Sequence, residues 1–190
     1  QYNRLPDAGD LLEVYDQQLA AFGQEVTGRR TAYLEALTPL AVENYRRISQ
    51  GREELDLAYK ATFEGSLLEA YRRLRPAELR AGFCLAGPHR EDLEVLLDGQ
   101  PARVYGSQGQ QRSAVLALKL AEATQAEAVT GEHPVMLLDD VLSELDDARQ
   151  NYLLTRMTGK QVFVTACDSA AFGRAEGRVY RLECGAVTQA

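Results

Sequence analysis

An α/β lobe, with a partial and mostly parallel sheet flanked by helices and a helical, coiled-coil-like arm, is the fold this sequence predicts. Three observations carry the prediction. Residues 1–50 place apolar side chains at helical spacing among charged ones. From Ser107 onward, helix-forming stretches alternate with short apolar runs. One such run, Val135-Met136-Leu137-Leu138, is continuously apolar, as a parallel strand covered on both faces requires. The expected organisation is an arm with a connecting strand and helix over 1–80, and the lobe over 81–190.

Taken in order, Asp10 is placed to cap a helix whose apolar positions are Leu11, Tyr15, Leu19, Phe22 and Val26. The pattern resumes at Tyr33, Leu37, Leu40 or Ala41, and Ile48, and Gly23, Gly28 and Pro39 predict bends or a break. A stripe this narrow serves a partner helix in a short coiled coil or a surface helix on a globular core equally well. Ser49-Gln50-Gly51 ends the region, and Leu55, Leu57 and Tyr59 alternate as a half-buried strand. A helix follows around Leu67–Leu74, stopping near Pro76. Phe83–Ala86 reads as a short buried strand. Leu93, Val95 and Leu97 alternate into an Asp98-Gly99 hairpin, with Val104 on the return strand. Ser113–Ala128 is a helix rich in Ala and Leu. A further helix spans about Asp146–Met157, a buried strand Gln161–Thr165, and an edge hairpin around Val179, Tyr180 and Leu182 turns at Cys184-Gly185.

The 190 residues have a net charge of −7, with 45% hydrophobic and 26% charged residues, which fits a folded core and argues against disorder. No apolar run approaches the roughly 18 residues of a membrane span. Cys84, Cys167 and Cys184 form no CxxC pair and read as free thiols in a reducing compartment, Cys167 as a small buried filler. The acidic balance lacks the footprint of a strong stand-alone nucleic-acid binder, so any such contact is local, shared or supplied by other sequence. Gln1-Tyr2-Asn3-Arg4 has neither an initiator Met nor a signal-peptide layout, which predicts a piece of a longer protein.

The chemistry starts at Asp139 and Asp140. They follow an apolar strand and so stand at its carboxyl end, where open α/β sheets place ligands. One carboxylate there can hold Mg²⁺ and a second can orient or deprotonate an attacking water. An apolar strand ending in Asp is common, and alone it means little. Ser107-Gln108-Gly109-Gln110-Gln111 adds a helix amino end whose N–H groups suit a phosphate, although a plain N-cap reads the same way. Ser143-Glu144-Leu145-Asp146 comes just after the paired acids, and Val162-Phe163-Val164-Thr165 supplies a further strand. The order of these parts is far more specific than any one of them.

With Gly87-Pro88-His89-Arg90-Glu91-Asp92-Leu93, Tyr105–Arg112 and Leu137–Asp146, the sequence resembles the RecF family, ABC-type ATPases related to SMC proteins. The resemblance spans essentially the whole chain and implies an ABC-type ATPase lobe. It makes Ser107, Gln108, Gly109, Gln110 and Gln111 the signature, which contacts the γ-phosphate of ATP held by the other subunit. Asp139 becomes the Walker B ligand of Mg²⁺ and Asp140 the catalytic carboxylate, usually Glu in such proteins. Ser143 to Asp146 becomes the D-loop at the dimer interface. The implied role is a cytoplasmic, ATP-dependent dimer in DNA repair, recombination, replication and the SOS response. Such a dimer recognises gapped DNA, single-stranded beside double-stranded, and helps RecA load there with RecO and RecR.

Two departures matter. No Gly-x-x-x-x-Gly-Lys-Ser/Thr occurs in these residues, so no phosphate loop cradles a β-phosphate, and the chain alone is expected neither to bind ATP tightly nor to hydrolyse it. A carboxy-terminal fragment, with an incomplete sheet and an exposed edge, is the corresponding expectation. The switch His of ABC transporters is replaced by Val164-Thr165-Ala166-Cys167-Asp168, leaving Thr165 and Asp168 as candidate γ-phosphate sensors. His89 and His133 read as structural or solvated. Arg72, Arg73, Arg75, Arg80 and Arg90 form the one basic grouping, readable as a solvated face or as a phosphate track. Two other classes compete: a non-catalytic SMC-like structural module, and the nucleotide-binding subunit of a transporter, which the absent His and the long charged arm disfavour.

Overall fold

A computed structural model describes residues 8–142, 145–156, 160–167 and 177–189. Its elements are α1 (Ala8–Ile48), β1 (Leu55–Lys60), α2 (Leu67–Ala81), β2 (Asp92–Leu97), β3 (Gln100–Pro101), α3 (Ala102–Tyr105), α4 (Gln108–Thr130), β4 (Met136–Leu138), α5 (Asp147–Arg156), β5 (Val162–Val164), β6 (Tyr180–Glu183) and β7 (Ala186–Gln189). The chain forms two compact units, one from residues 1–36 and 57–94 and the other from 37–56 and 95–190. Helix α1 and strands β1 and β2 contribute residues to both. The strand order β1-β2-β3 makes one sheet, β4-β5 a second and β6-β7 a third.

Helix α1 runs 41 residues without the break expected at Gly23, Gly28 or Pro39, and Asp10 lies in its first turn. The first unit packs Ala20 of α1 against Leu67, Ala70 and Tyr71 of α2 and against Ala86, with Phe63, Leu68 and Leu74 beside them. The inward face of α1 here is mostly small or polar, with Asp16, Ala20, Gly23, Thr27 and Thr31 between Leu12 and Leu34, whereas the apolar positions Leu11, Tyr15, Leu19, Phe22 and Val26 are exposed. Small residues let the helices approach closely. A Cβ built on Gly23 would lie 2.5 Å from Leu67 Cδ2.

Helix α2 is capped by Ser66, whose side chain accepts from Glu69 N–H, and ends at Gly82 with φ 79°. It continues through Pro76 to Ala81 instead of stopping near the proline, at the cost of one backbone hydrogen bond. Phe83–Ala86 is not a strand. Its backbone is held by side chains, with Leu85 N–H donating to Glu78 Oε1 at 2.6 Å and the following Gly87 N–H to Thr62 Oγ1 at 2.8 Å.

In the second unit, Leu37, Ala41, Tyr45 and Ile48 line the buried side of α1, and Ala114, Ala117 and Ala121 that of α4. Asn44 Nδ2 donates to the Ala117 carbonyl at 3.3 Å. The Asp98-Gly99 hairpin forms as expected, with φ of 49° and 75° and Leu97 opposite Gln100. Val104, however, lies exposed in the short helix α3 and not on a return strand. Strands β4 and β5 pair in parallel, Met136 opposite Val162 and Leu138 opposite Val164. They are not covered on both faces: Leu137 is 75% and Phe163 56% exposed. The β6–β7 hairpin turns at Cys184-Gly185 as expected. Cys84, Cys167 and Cys184 are free thiols, and Cys167 is exposed, not buried.

Candidate functional site

The paired acids stand where the sequence places them, at the carboxyl end of β4. The parallel ladder continues past the strands through Thr165 N–H to the Leu138 carbonyl (2.9 Å) and Asp140 N–H to the Thr165 carbonyl (3.2 Å). This registers Thr165 against both acids. Its hydroxyl donates to Asp139 Oδ1 and accepts from Asp140 N–H at 3.0 Å. Asp140 adopts φ 48°, a left-handed conformation unusual for a residue with a Cβ. Asp139 is exposed.

At the amino end of the 23-residue helix α4, Ser107 and Gln110 form a reciprocal capping box. Ser107 Oγ accepts from Gln110 N–H at 3.2 Å, and Gln110 Oε1 accepts from Ser107 N–H at 2.7 Å. The helix geometry leaves the N–H groups of Gln108 and Gly109 without an intrahelical acceptor. Gln111 Nε2 donates to the Gly106 carbonyl at 2.8 Å, and Ser113 Oγ to the Gly109 carbonyl at 2.6 Å, which fixes the turn around the cap.

A group that sequence reasoning missed connects to this cap. Gln110 Nε2 donates to Glu53 Oε1 at 3.1 Å. The Tyr45 hydroxyl donates to Glu53 Oε2 at 2.7 Å. Burial, with the Glu53 carboxylate next in effect, pushes the Tyr45 phenol well above the ordinary tyrosine range. Arg149 on α5 lies 3.5 Å from Glu53 Oε2 and 3.6 Å from Asp146 Oδ2. Asp146 Oδ1 accepts from Arg149 N–H at 2.9 Å and so caps α5. Of the expected D-loop and switch residues, Asp146 and Thr165 are placed in this way, while Ser143 and Asp168 lie outside the described residues.

The basic grouping belongs to the first unit and is divided in use. Arg72 pairs with Glu13, and Arg75 with Glu13 (3.4 Å) and Asp16. The bond from Arg72 holds the Glu13 carboxyl below the ordinary carboxylate range. Arg90 stacks on the Phe83 ring at 4.5 Å and donates to the Cys84 carbonyl at 3.2 Å. Arg73 and Arg80 are exposed. His89 stands 3.4 Å from the Cys84 carbonyl and His133 2.8 Å from that of Pro134.

Among the described residues no cluster of three or more His, Cys, Asp or Glu side chains is arranged to hold a metal. Mg²⁺ does not need one: it keeps several waters and takes one or two carboxylates together with phosphate oxygens. The exposed Asp139, with one oxygen steadied by Thr165, fits that single-carboxylate role. Among the described residues no helix is long and apolar enough to cross a membrane.

The fold is that of an ABC-type ATPase lobe, as its structural neighbours show. An SMC ATPase structure described by "ATP-driven dimerization and DNA stimulated activation" shares the fold, with a TM-score of 0.54 at 15% identity over 86% of this chain and 87% of that one. The chain itself belongs to the RecF family. It is 41% identical over 192 residues to the DNA replication and repair protein RecF of Heliobacterium modesticaldum, covering 94% of this chain and 52% of that protein. It also matches the structure of the recombination mediator protein RecF with ATP, with a TM-score of 0.77 and 36% identity over 95% of this chain and 50% of that one. No protein-family model matches. The chain thus spans about half the length of the curated relatives it matches.

Proposed function

We propose that this chain carries the signature, Walker B and D-loop part of a RecF-type DNA-repair ATPase, and that its signature reads the γ-phosphate of ATP held by a second subunit. The observation that carries this reading is the α4 amino end. The capping box occupies the N–H groups of Ser107 and Gln110, while those of Gln108 and Gly109 remain for an anion at the positive end of a long helix. Gly109 adds no side chain to obstruct that approach.

In this reading Asp139 would hold Mg²⁺ beside the phosphates of a subunit's own nucleotide. The ion, when bound, supplies neutralisation of phosphate charge. Asp140 orients or deprotonates the attacking water. Thr165 keeps both acids in register, and the D-loop that leads to Asp146 would meet the partner subunit. ATP binding closes a cytoplasmic dimer on DNA and hydrolysis reopens it. Gapped DNA, and action with RecO and RecR in loading RecA, complete the proposed role. For DNA contact, exposed Arg73 and Arg80 are better placed than Arg72 and Arg75, which Glu13 and Asp16 already neutralise. Arg90 is an intermediate case.

The test mixes this chain with a RecF-family protein that has an intact phosphate loop and follows the mass of the complex by sedimentation. A complex is expected with ATP and not with ADP, and Ser107→Arg abolishes it. No ATP-dependent complex with the unaltered chain overturns the reading. The chain alone, lacking a phosphate loop, is expected to show no Mg²⁺-dependent ATP hydrolysis.

A further inference from the structure

Glu53 stands between two segments that the motifs treat as separate. One carboxylate oxygen accepts from Gln110 Nε2 at 3.1 Å; the other accepts from Tyr45 and lies 3.5 Å from the Arg149 guanidinium. Each end of this chain of contacts is tied to a helix cap. Gln110 also accepts from Ser107 N–H and so closes the cap of α4. Arg149 also lies 3.6 Å from Asp146, whose carboxylate caps α5. Arg52 reaches the same Asp146 oxygen at 3.8 Å. All these residues belong to one compact unit.

Burial gives the arrangement its force. The side chains of Glu53 and Arg149 are 15% and 8% exposed, so salt screens their attraction little, and removing one leaves the other's charge desolvated. Tyr45, fully buried, fixes Glu53 from the side of α1. With Tyr45 as anchor, the carboxylate divides between Gln110 and Arg149. A shift of either partner therefore changes the geometry offered to the other.

We propose that Glu53 is a positioning residue that couples the signature cap of α4 to the D-loop end of α5. Displacement at one segment is then transmitted to the other through Gln110–Glu53–Arg149–Asp146. The purpose of such coupling rests on the proposed function, since signature and D-loop would meet the same partner subunit; the coupling itself rests on geometry alone. A role confined to packing predicts something different. Loss of Arg149 would then loosen the whole unit evenly, and a change at Gln110 would stay near α4. Coupling is reciprocal by linkage, so a true relay must be visible from both ends.

The experiment is amide hydrogen exchange on the full chain, read at the bonded amides of Ser107, Gln110 and Gln111 and at Arg149–Gln150, with the far end of α4 (124–130) as internal reference. Arg149→Met is expected to speed exchange at Ser107, Gln110 and Gln111 by roughly tenfold, within the usual range of site-to-site coupling. Gln110→Met, which removes a half-buried and uncharged partner, is expected to speed exchange at Arg149–Gln150 comparably, and it carries the test if Arg149→Met does not fold. In both variants residues 124–130 stay at the unaltered rate. Glu53→Gln, which keeps an acceptor but not the charge, falls between. Uniform acceleration, or an effect confined to the mutated end, overturns the coupling whatever the nucleotide experiment shows. If the exchange pattern appears but the unaltered chain forms no ATP-dependent complex, the coupling stands and the proposed function falls.

Discussion

The Thr165 hydroxyl donates to Asp139 and accepts from the backbone N–H of Asp140, so one side chain at the end of β5 steadies both acids at the end of β4. Asp140 needs that support, because its φ of 48° costs a residue with a Cβ on the order of 1–3 kcal/mol. Thr165→Val keeps the shape and removes the hydroxyl. It is expected to cost about 1 kcal/mol in urea unfolding and, on the proposed function, to weaken the ATP-dependent complex several-fold. Thr165→Ser should restore both. An unchanged complex with Thr165→Val would show that the hydroxyl does not set the acids.

Two glycines of α1 should respond in opposite directions to the same substitution. A Cβ on Gly28 meets nothing within 4 Å, so Gly28→Ala gains helix propensity and should stabilise by about 0.5–1 kcal/mol. A Cβ on Gly23 would lie 2.5 Å from Leu67 Cδ2 and 3.3 Å from Pro88 Cδ, and Leu67 is fully buried. Overpacking of this kind costs about 1–3 kcal/mol, which exceeds the propensity gain. Gly23→Ala should therefore destabilise. Adding Leu67→Ala to it should cost less than the two single losses together, and strict additivity would count against the contact.

Alkaline stability should depend on Tyr71. Burial raises its phenol from the ordinary 10.0 to about 12. The folded chain thus holds the phenolic proton more tightly than the unfolded chain. The resulting stability is complete below about pH 10 and is lost as pH rises through about 12. Tyr71→Phe should flatten the fall in denaturant midpoint over that window without abolishing it. Tyr45, Tyr59, Tyr152 and Cys84 are raised as well, all chiefly by burial, and act in the same direction. A Tyr71→Phe chain with an unchanged slope would remove Tyr71 from the account.

Local chemistry in this chain was readable, and chemistry made by distant contact was not. Asp-Gly fixed a hairpin and Ser107 fixed a helix start, because a turn or a cap is written within four residues. Asp139 and Asp140 were placed by the apolar strand just before them. The face of α1 that packs within its own unit is not legible from the apolar pattern, because Asp16, Ala20, Gly23 and Thr27 face inward for close approach and polar pairing. Arg75 meets Asp16, and the Thr27 hydroxyl donates to the Glu91 carboxylate, whose side chain is fully buried. Phe83–Ala86 resembled a strand, but side chains of Glu78 and Thr62 take donors that a ladder would use. Glu53 was invisible for a similar reason: its partner Gln110 lies 57 residues away, and the remaining bonds come from helices outside any motif. The compact units are discontinuous in sequence, because α1, β1 and β2 each contribute to both.

Ser107 has two duties in the proposed function, and one substitution should separate them. Its hydroxyl caps α4 by accepting from Gln110 N–H, and it faces the same space as the N–H groups offered to a γ-phosphate. Ser107→Ala removes both and should cost about 0.5–2 kcal/mol of stability, so a lost complex would be ambiguous. Asp caps a helix as well as Ser does, and a carboxylate at this end also suits the helix dipole. Ser107→Asp should therefore leave the unfolding midpoint unchanged or slightly raised. Its charge, however, lies where the phosphate would come, and like charges in a partly desolvated site repel strongly. The ATP-dependent complex should be lost while the fold is kept. A Ser107→Asp chain that still assembles with ATP would place the phosphate elsewhere and reduce Ser107 to a cap.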